Sequence, residues 1–179
     1  MSEEEKNDVL KEMKLKSISA IRADHIANSF CVAVVTQDDY KIVYSGDTRP
    51  LQALIDLGKK DQKTNLLIHE ATLGTPFLND CIIKKHTTFT EAVKVSEEME
   101  ADYSIFTHFS QRYAKVPTFE EFEVDTAKNC GIAFDHMVIT PKNLCTIQTI
   151  YPALKIMFQR ELQYIEKQSL EKSQNFQIE

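Results

Sequence analysis

The chain has 179 residues, which is enough for one domain with a hydrophobic core but too few for two domains of typical size. Apolar residues make up 42% and charged residues 27%, ordinary values for a globular protein, and no apolar run approaches the roughly 18 residues of a membrane span. The net charge of −6 argues against a generally basic nucleic-acid-binding protein, although a local basic rim can still attract a phosphate backbone.

Residues 1–15 are predicted to form a charged helix or tail. Val9, Leu10 and Met13 are spaced like one face of a helix, between charged side chains. The segment lacks the apolar stretch of a secretory signal and is too acidic for a transit peptide, so we expect neither. Residues 16–158 are predicted to form the main domain, and residues 159–179 a C-terminal helix and tail.

An antiparallel hairpin is predicted near the start of the main domain. Residues 18–22 lead into a turn at Asp24–Ser29. Two runs rich in β-branched and aromatic residues follow, at Phe30–Val35 and Tyr40–Tyr44, with a turn at Gln37–Asp39 between them.

Helices and strands alternate after the hairpin. Pro50 opens a helix over Leu51–Leu57 that Gly58 is predicted to cap, and Thr90 is the predicted N-cap of a helix that ends at Met99. Further predicted elements are a strand at Asn65–Ile68, a loop at Glu70–Asp80, a strand at Tyr103–Phe106, one or two strands at Ile132–Phe134 and Met137–Ile139, and a helix from about Pro152 to Gln174.

This alternation predicts an α/β fold whose chemically interesting residues fall just past strand ends. Asp47, His69 and His108 each follow a predicted strand, and open α/β sheets place their sites at such ends. Carboxylate and imidazole groups there, with His86 on a loop between them, suit a hydrolytic zinc site. A free imidazole can also protonate a leaving group. An α/β domain without such a site is the alternative.

Four motifs resemble ribonuclease Z, the tRNA 3′-processing endonuclease of the metallo-β-lactamase superfamily, in its eukaryotic long form. The motifs stand in the family's order, and the resemblance runs from about Lys16 to Phe158. The motifs are Lys41–Pro50, Leu66–Leu73, Lys85–Thr88 and Thr107–Pro117, and Ile132–Met137 continues the match.

The resemblance implies roles for individual residues. Asp47 matches the aspartate that bridges two zinc ions, and His108 matches a histidine ligand of one of them. His86 matches the histidine of a His-Ser-Thr loop, which reads His-Thr-Thr here, and is implied to donate a proton to the leaving oxygen. His25 lies where the family often has a histidine, but its local alignment is loose, and His136 is expected to be structural.

The resemblance also implies supporting residues around the metal. His69 and Glu70 match the family's His-Glu-Ala-Thr motif and are expected to support the site rather than bind metal. Ser110 and Arg112 lie beside His108 in the sequence and can hold a substrate phosphate; a structural ion pair is the alternative for Arg112. Thr87 is expected to contribute a hydroxyl from the loop that carries His86.

The sequence departs from the family in two further respects. A histidine ligand that the family has upstream of its bridging aspartate is not identifiable here, and the main ligand signature is missing. The His-x-His-x-Asp-His signature, which supplies most of the zinc ligands, occurs nowhere in these residues. The resemblance therefore covers the C-terminal part of the catalytic domain, a partial αββα sandwich that supplies mainly one sheet and its helices. We expect the isolated chain to bind zinc poorly and to leave an inner sheet face uncovered, including Val32, Val34, Ile42 and Phe106.

The implied function is zinc-dependent removal of the 3′ trailer from precursor tRNA. The implied partners are the tRNA and a chain that carries the missing N-terminal half, or a homodimer, in the nucleus or mitochondrion and without a membrane. The alternatives are a fragment of a longer product, a split-enzyme subunit, a non-catalytic interaction module that uses the sheet face or the helix at Leu154–Gln174, and a phosphodiesterase with another substrate, such as a cyclic nucleotide.

Overall fold

The computed structural model describes residues 3–110, 129–157 and 159. Six strands form one mixed sheet in the order β1-β2-β3-β4-β5-β6. The strands are β1 Leu15–Arg22, β2 Phe30–Thr36, β3 Lys41–Tyr44, β4 Leu66–Glu70, β5 Tyr103–Thr107 and β6 Cys130–Ile132. The helices are α1 Glu3–Glu12, α2 Gln52–Lys59, α3 Leu78–Lys84, α4 Phe89–Met99 and α5 Ile147–Met157, with 3-10 turns at Thr75–Phe77 and Leu144–Thr146.

The sheet changes from antiparallel to parallel at β3. The strands β1, β2 and β3 pair antiparallel, and the predicted hairpin is confirmed as β2 and β3. The strands β3, β4, β5 and β6 pair parallel, which requires a crossover connection between neighbours. The C-terminal ends of β3, β4 and β5 therefore lie side by side at one edge, where the predicted site residues are found.

The helices α2 and α4 cover one face of the sheet. They contact each other and several strands, and they enclose a core cluster that includes Cys31, Val43, Leu54, Leu67 and Met99. A second cluster extends toward β5 and β6 and includes Ile105, Phe106, Leu144 and Ile147. The α/β prediction is thereby confirmed.

The core cluster beneath α2 and α4 does not include the side chains on the opposite face of β1, β2 and β3. Side chains of Val32, Val34 and Ile42 project there and are only half-buried, as the sequence predicted. Tyr44 on the same face is 48% exposed. Phe106 was wrongly included in this set: it is fully buried, with its ring edge-on to Phe89 at 5.1 Å.

Two elements were missed by the sequence predictions. The edge strand β1 extends from Leu15 to Arg22, where only a lead into a turn was expected. Its side chains are mostly exposed, so its hydrophobic pattern is weak. The helix α3, Leu78–Lys84, lies partly in a predicted loop, and Cys81 is its one buried residue. Conversely, Met137–Ile139 forms no strand.

Two helix boundaries were also wrong. Gly58 lies inside α2, which continues to Lys59. A glycine suits this position because α4 approaches closely, and a Cβ at Gly58 would lie 2.4 Å from Met99 Cγ. The N-cap of α4 is Thr88 and not Thr90. The Thr88 hydroxyl accepts from the Glu91 amide, and the Glu91 carboxylate accepts from the Thr88 amide, which forms a capping box.

Some predicted segments lie beyond the part of the chain that the structure describes. Arg112, with the motif residues 111–117, and most of the predicted C-terminal helix are outside the described residues. The three domain boundaries stay a prediction. No helix in the described part of the chain has the length and apolarity to cross a membrane.

Candidate metal centre

Three strand ends bring the candidate site together. Asp47 lies in the turn after β3, Glu70 is the last residue of β4, and His108 directly follows β5. The turn at Asp47 depends on Gly46, whose φ is +57° and whose Cβ position lies 3.0 Å from the carbonyl oxygen of Phe30. A side chain there would be strained and crowded, so glycine lets the chain turn against β2.

Two histidines face the Asp47 carboxylate. The distance from Asp47 Oδ2 to His108 Nε2 is 3.6 Å, and to His25 Nε2 it is 3.9 Å. The Asp47 side chain is 37% exposed and His108 is 46% exposed, whereas His25 is 14% exposed. A carboxylate oxygen and imidazole nitrogens are donors that Zn²⁺ prefers.

The proton of His25 is on Nδ1. His25 Nδ1 lies 3.0 Å from the carbonyl oxygen of Lys85, which can only accept a hydrogen bond. The lone pair of a neutral His25 ring is therefore on Nε2, the atom that faces Asp47. Metal-binding histidines are commonly oriented in this way by a hydrogen bond from the other ring nitrogen.

Glu70 is a buried carboxylate with four hydrogen-bond donors. Its side chain is 1% exposed. It accepts from the amides of Thr48 and Thr87 at 2.6 and 3.0 Å, from the Thr72 hydroxyl at 2.6 Å and from His86 Nδ1 at 3.0 Å. A buried carboxylate needs such compensation for its lost hydration. Glu70 thereby ties the Asp47 turn to the loop that carries His86.

His86 lies between the two other histidines of the site. Its ring centre is 4.8 Å from that of His25 and 5.3 Å from that of His108. Because Nδ1 donates to Glu70, Nε2 is the ring atom of His86 that remains for other partners. That atom can bind a metal, or it can donate a proton when the ring is charged.

Arg49 forms a second connection between the same two loops. Its guanidinium donates to the carbonyl oxygen of His86 at 2.6 Å and pairs through two nitrogens with the Glu91 carboxylate. Burial alone would raise the pKa of Glu91, but the hydrogen bonds from Arg49 and Thr88 outweigh it and hold that pKa below its usual value. The loop of His86 is therefore anchored to the N-terminus of α4.

Among the described residues, two groups of side chains offer three close metal donors each. One is His25, Asp47 and His86, and the other is Glu70, His86 and His108; within each group the donor atoms lie within 4.8 Å of one another. Glu70 is already saturated by hydrogen bonds. The donors available to a metal are therefore Asp47, His25, His108 and Nε2 of His86, and carboxylate oxygens and imidazole nitrogens are ligand types that bind zinc.

Two other predicted supporting residues, Thr87 and Ser110, make hydrogen bonds between the loops of the site. Thr87 is buried; its hydroxyl donates to the Thr48 carbonyl at 2.5 Å and its amide donates to Glu70. Ser110 is half-buried, and its amide donates to the Thr72 carbonyl at 2.8 Å. Both residues thus hold the loops of the site together.

His69 was wrongly placed past a strand end. It lies inside β4, is fully buried, and donates from Nδ1 to the carbonyl oxygen of Glu70 at 2.6 Å. Its Nε2 is buried without a hydrogen-bond partner in the described structure. Desolvation lowers the pKa of His69, so the ring is held neutral.

His25 is the site residue that sequence reasoning placed only loosely. The sequence identified no histidine ligand upstream of Asp47, whereas the structure brings His25 Nε2 to within 3.9 Å of the Asp47 carboxylate. The signal was a histidine in the turn before β2. His136, by contrast, is exposed and belongs to neither donor group.

The fold defines the class of this protein. Comparison with solved structures matches the metallo-β-lactamase fold protein YhfI from Bacillus subtilis with a TM-score of 0.58, over 69% of this chain and 49% of that chain, at 19% identity. The chain therefore has the architecture of one part of a metallo-β-lactamase fold. No protein-family model matches it.

The sequence identifies the family within that class. A long-form RNase Z from yeast matches with a TM-score of 0.76 and 31% identity, over 92% of this chain and 22% of that chain. Zinc phosphodiesterase ELAC protein 2 of Macaca fascicularis is 36% identical over 157 residues, and the mitochondrial ribonuclease Z of Drosophila melanogaster is 36% identical over 163 residues. Each of these two matches covers 88% of this chain. They identify the chain as a relative of ribonuclease Z over most of its length.

The match covers only a small part of each relative. The chain spans about a fifth of the length of these relatives: 18% of the macaque protein and 21% of the fly protein. The names of the relatives are those of enzymes, so they do not favour the alternative of a non-catalytic interaction module.

Proposed function

We propose that this chain forms the C-terminal part of the catalytic domain of an endoribonuclease that removes the 3′ trailer from precursor tRNA. The cut falls on the 3′ side of the discriminator base. The observation that carries the proposal is the arrangement of His25 and His108, whose Nε2 atoms both face the Asp47 carboxylate. Relatives named zinc phosphodiesterase and ribonuclease Z support the substrate class.

Asp47, His25 and His108 are the proposed zinc-binding residues. Asp47 would hold metal jointly with the two histidines, because one of its oxygens lies near both imidazoles. Bound zinc supplies Lewis acidity that activates water for attack on phosphorus and neutralises developing charge. The complete site holds two ions, so further ligands come from residues outside this chain's donor groups.

His86 is the proposed proton donor to the leaving 3′ oxygen. Its Nδ1–H bonds to Glu70 orient the ring and leave Nε2–H of the charged imidazole free to donate. The buried Glu70 carboxylate is the counter-charge of that imidazolium. Ser110, beside His108, and Arg112 are proposed to hold the substrate phosphate by hydrogen bond and charge.

A further segment of the metallo-β-lactamase domain is the proposed partner of the partly covered sheet face. The face of β1, β2 and β3 that carries Val34, Ile42 and Tyr44 is only partly covered in the described structure, and the relatives are about five times longer. Such a segment buries this face and brings further ligands toward Asp47. A second copy of this chain is the other candidate partner. The proposed location of the enzyme is the nucleus or mitochondrion.

Cleavage of a precursor tRNA with a 3′ trailer tests this function. The 179-residue chain is incubated with zinc alone and together with the upstream catalytic segment of a ribonuclease Z relative, which carries His-x-His-x-Asp-His. We expect cleavage after the discriminator base in the combined sample and little in the chain alone. Cleavage at other positions, or none in the combined sample, would contradict the proposal.

Substitutions in the combined sample assign the roles. We expect His86→Ala to slow cleavage by about 100-fold or more while zinc content is kept, since general acid catalysis contributes about 10²- to 10⁴-fold. Loss of zinc in His86→Ala would instead make His86 a ligand. Asp47→Ala is expected to lower zinc content, and His136→Ala serves as the control, because His136 is exposed and belongs to neither donor group.

A further inference from the structure

We propose that Thr72 is a positioning residue of this site: its hydroxyl connects Glu70 to His108 and fixes the tautomer in which His108 Nε2 is free to bind metal. Thr72 lies in the loop after β4 and is 9% exposed. The significance of this connection for catalysis rests on the proposed function, but the hydrogen-bond arrangement does not.

The chain of hydrogen bonds starts at Glu70. Its Oε2 accepts from the amide of Thr87, and its Oε1 accepts from the amide of Thr48, so the carboxylate acts as an acceptor toward both. The Thr72 hydroxyl lies 2.6 Å from Oε2. An ionised carboxylate has no proton to give, so Thr72 is the donor in this bond.

The single proton of the hydroxyl decides the next bond. Thr72 Oγ1 lies 2.9 Å from His108 Nδ1. Because the hydroxyl proton is used toward Glu70, Oγ1 has only lone pairs to offer to His108. His108 Nδ1 must therefore carry the proton, and in the neutral ring the lone pair is on Nε2, which faces Asp47 at 3.6 Å.

The backbone holds Thr72 in place independently of its side chain. Its amide donates to the carbonyl oxygen of Thr87 at 3.0 Å, and its carbonyl oxygen accepts from the amide of Ser110 at 2.8 Å. Thr87 also bonds to Glu70, and Ser110 is two residues after His108, so these backbone bonds lie beside both partners of the hydroxyl. Removal of the hydroxyl is thus expected to change the tautomer of His108 more than the path of the main chain.

One buried carboxylate thereby sets two histidines in different ways. Glu70 binds His86 directly and reaches His108 through Thr72. The rings share the pattern of a protonated Nδ1 and an available Nε2. Such outer hydrogen bonds to metal-binding histidines contribute about 10- to 100-fold to metal affinity.

The test compares the full chain with Thr72→Val and Thr72→Ser. Nitrogen-15 NMR of the histidine rings, at a pH where they are neutral, reports which nitrogen carries the proton. We expect His108 to be protonated on Nδ1 in the wild type and in Thr72→Ser, and to shift toward the Nε2–H tautomer in Thr72→Val. Zinc affinity, measured by competition with a chromophoric chelator, is expected to fall about 10- to 100-fold in Thr72→Val only.

The control is Thr64→Val, the same change at a buried threonine whose hydroxyl bonds to the Gly58 carbonyl oxygen. We expect no change in His108 there, and an unchanged His86 tautomer in every variant. An Nε2–H tautomer of His108 in the wild type overturns the proposal without any variant. So does a Thr72→Val chain that keeps the Nδ1–H tautomer. A wild-type chain with the expected tautomer that binds no zinc even together with the upstream catalytic segment would contradict the proposed function instead.

Discussion

At the residue scale, the candidate site depends on a few well-bonded carboxylates beneath it. Glu70 and Glu91 each accept several hydrogen bonds and join segments that lie far apart in the sequence. A neutral side chain at Glu70 would leave buried donors without an acceptor, at a cost of about 1–3 kcal/mol for each unsatisfied group. The more exposed candidate metal donors are therefore held in place by hydrogen bonds in the interior.

The buried imidazole of His69 predicts a dependence of stability on pH. Burial lowers its pKa below the usual value near 6.5, so the unfolded chain binds a proton at His69 more readily than the folded chain. The stabilisation is fully present above about pH 6.5 and is lost progressively as the pH falls below it. Urea unfolding at about pH 7.5 and 5.5, on either side of that pKa, measures the free energy of unfolding at both values.

His69→Gln isolates this contribution. Its free energy of unfolding is expected to fall less than that of the wild type between the two pH values, because glutamine does not titrate. The exposed His136→Gln is the control and should follow the wild type. Equal losses in wild type and His69→Gln would show that His69 is not held neutral by burial.

At the element scale, the helix caps show what the sequence could and could not specify. The residues Thr87, Thr88 and Thr90 are all candidates for an N-cap by type, and the apolar pattern alone favoured Thr90. Glu91 decides for Thr88, since it is three residues later and completes a capping box. The spacing of threonine and glutamate was therefore the stronger signal.

A pair of substitutions tests this assignment. Thr88→Ala removes the side chain that accepts from the Glu91 amide, so we expect it to lower the free energy of unfolding by about 1 kcal/mol. Thr90→Ala, at an exposed position beyond the cap, is expected to change it by less than about 0.5 kcal/mol. Urea unfolding compares the two variants. A larger effect for Thr90→Ala would support the sequence prediction that Thr90 is the N-cap.

The strands were predictable where one face of the sheet is buried. The runs that became β2, β3, β4 and β5 are rich in apolar and β-branched residues. The edge strand β1 is exposed on both faces along most of its length, so packing left little pattern in its sequence. Gly58 was wrongly predicted to be a helix cap. A glycine is needed there because the Met99 side chain, from another helix far along the chain, leaves no room for a Cβ.

At the scale of the whole molecule, the grouping of the candidate site residues was predictable in part. Asp47, His86 and His108 stand in recognisable motifs, so the resemblance assigned them. The position of His25 against Asp47 depends on β2 and β3 folding back as a hairpin and on the Lys85 carbonyl that orients the ring. The role of Thr72 depends on contacts between three loops, which no local pattern specifies.

The sheet face and the candidate metal site both indicate that a further protein segment packs against this chain. Val34, Ile42 and Tyr44 form part of an apolar sheet face that the described residues leave partly exposed. The proposed donors at its edge would supply only some of the ligands of the proposed two-zinc centre. Because a metal site gains affinity from an assembled set of ligands, we expect the chain alone to bind zinc weakly but at a defined place.

The most direct test of the account is the zinc-binding isotherm of the 179-residue chain, compared among wild type, Asp47→Ala, His25→Ala and His108→Ala, with His136→Ala as the control. The account predicts weak binding to the wild type and to the control, and binding at least about 10-fold weaker in each of the other three, because each loses a donor atom. Identical isotherms for the wild type and Asp47→Ala would contradict the assignment of this strand edge as the metal centre.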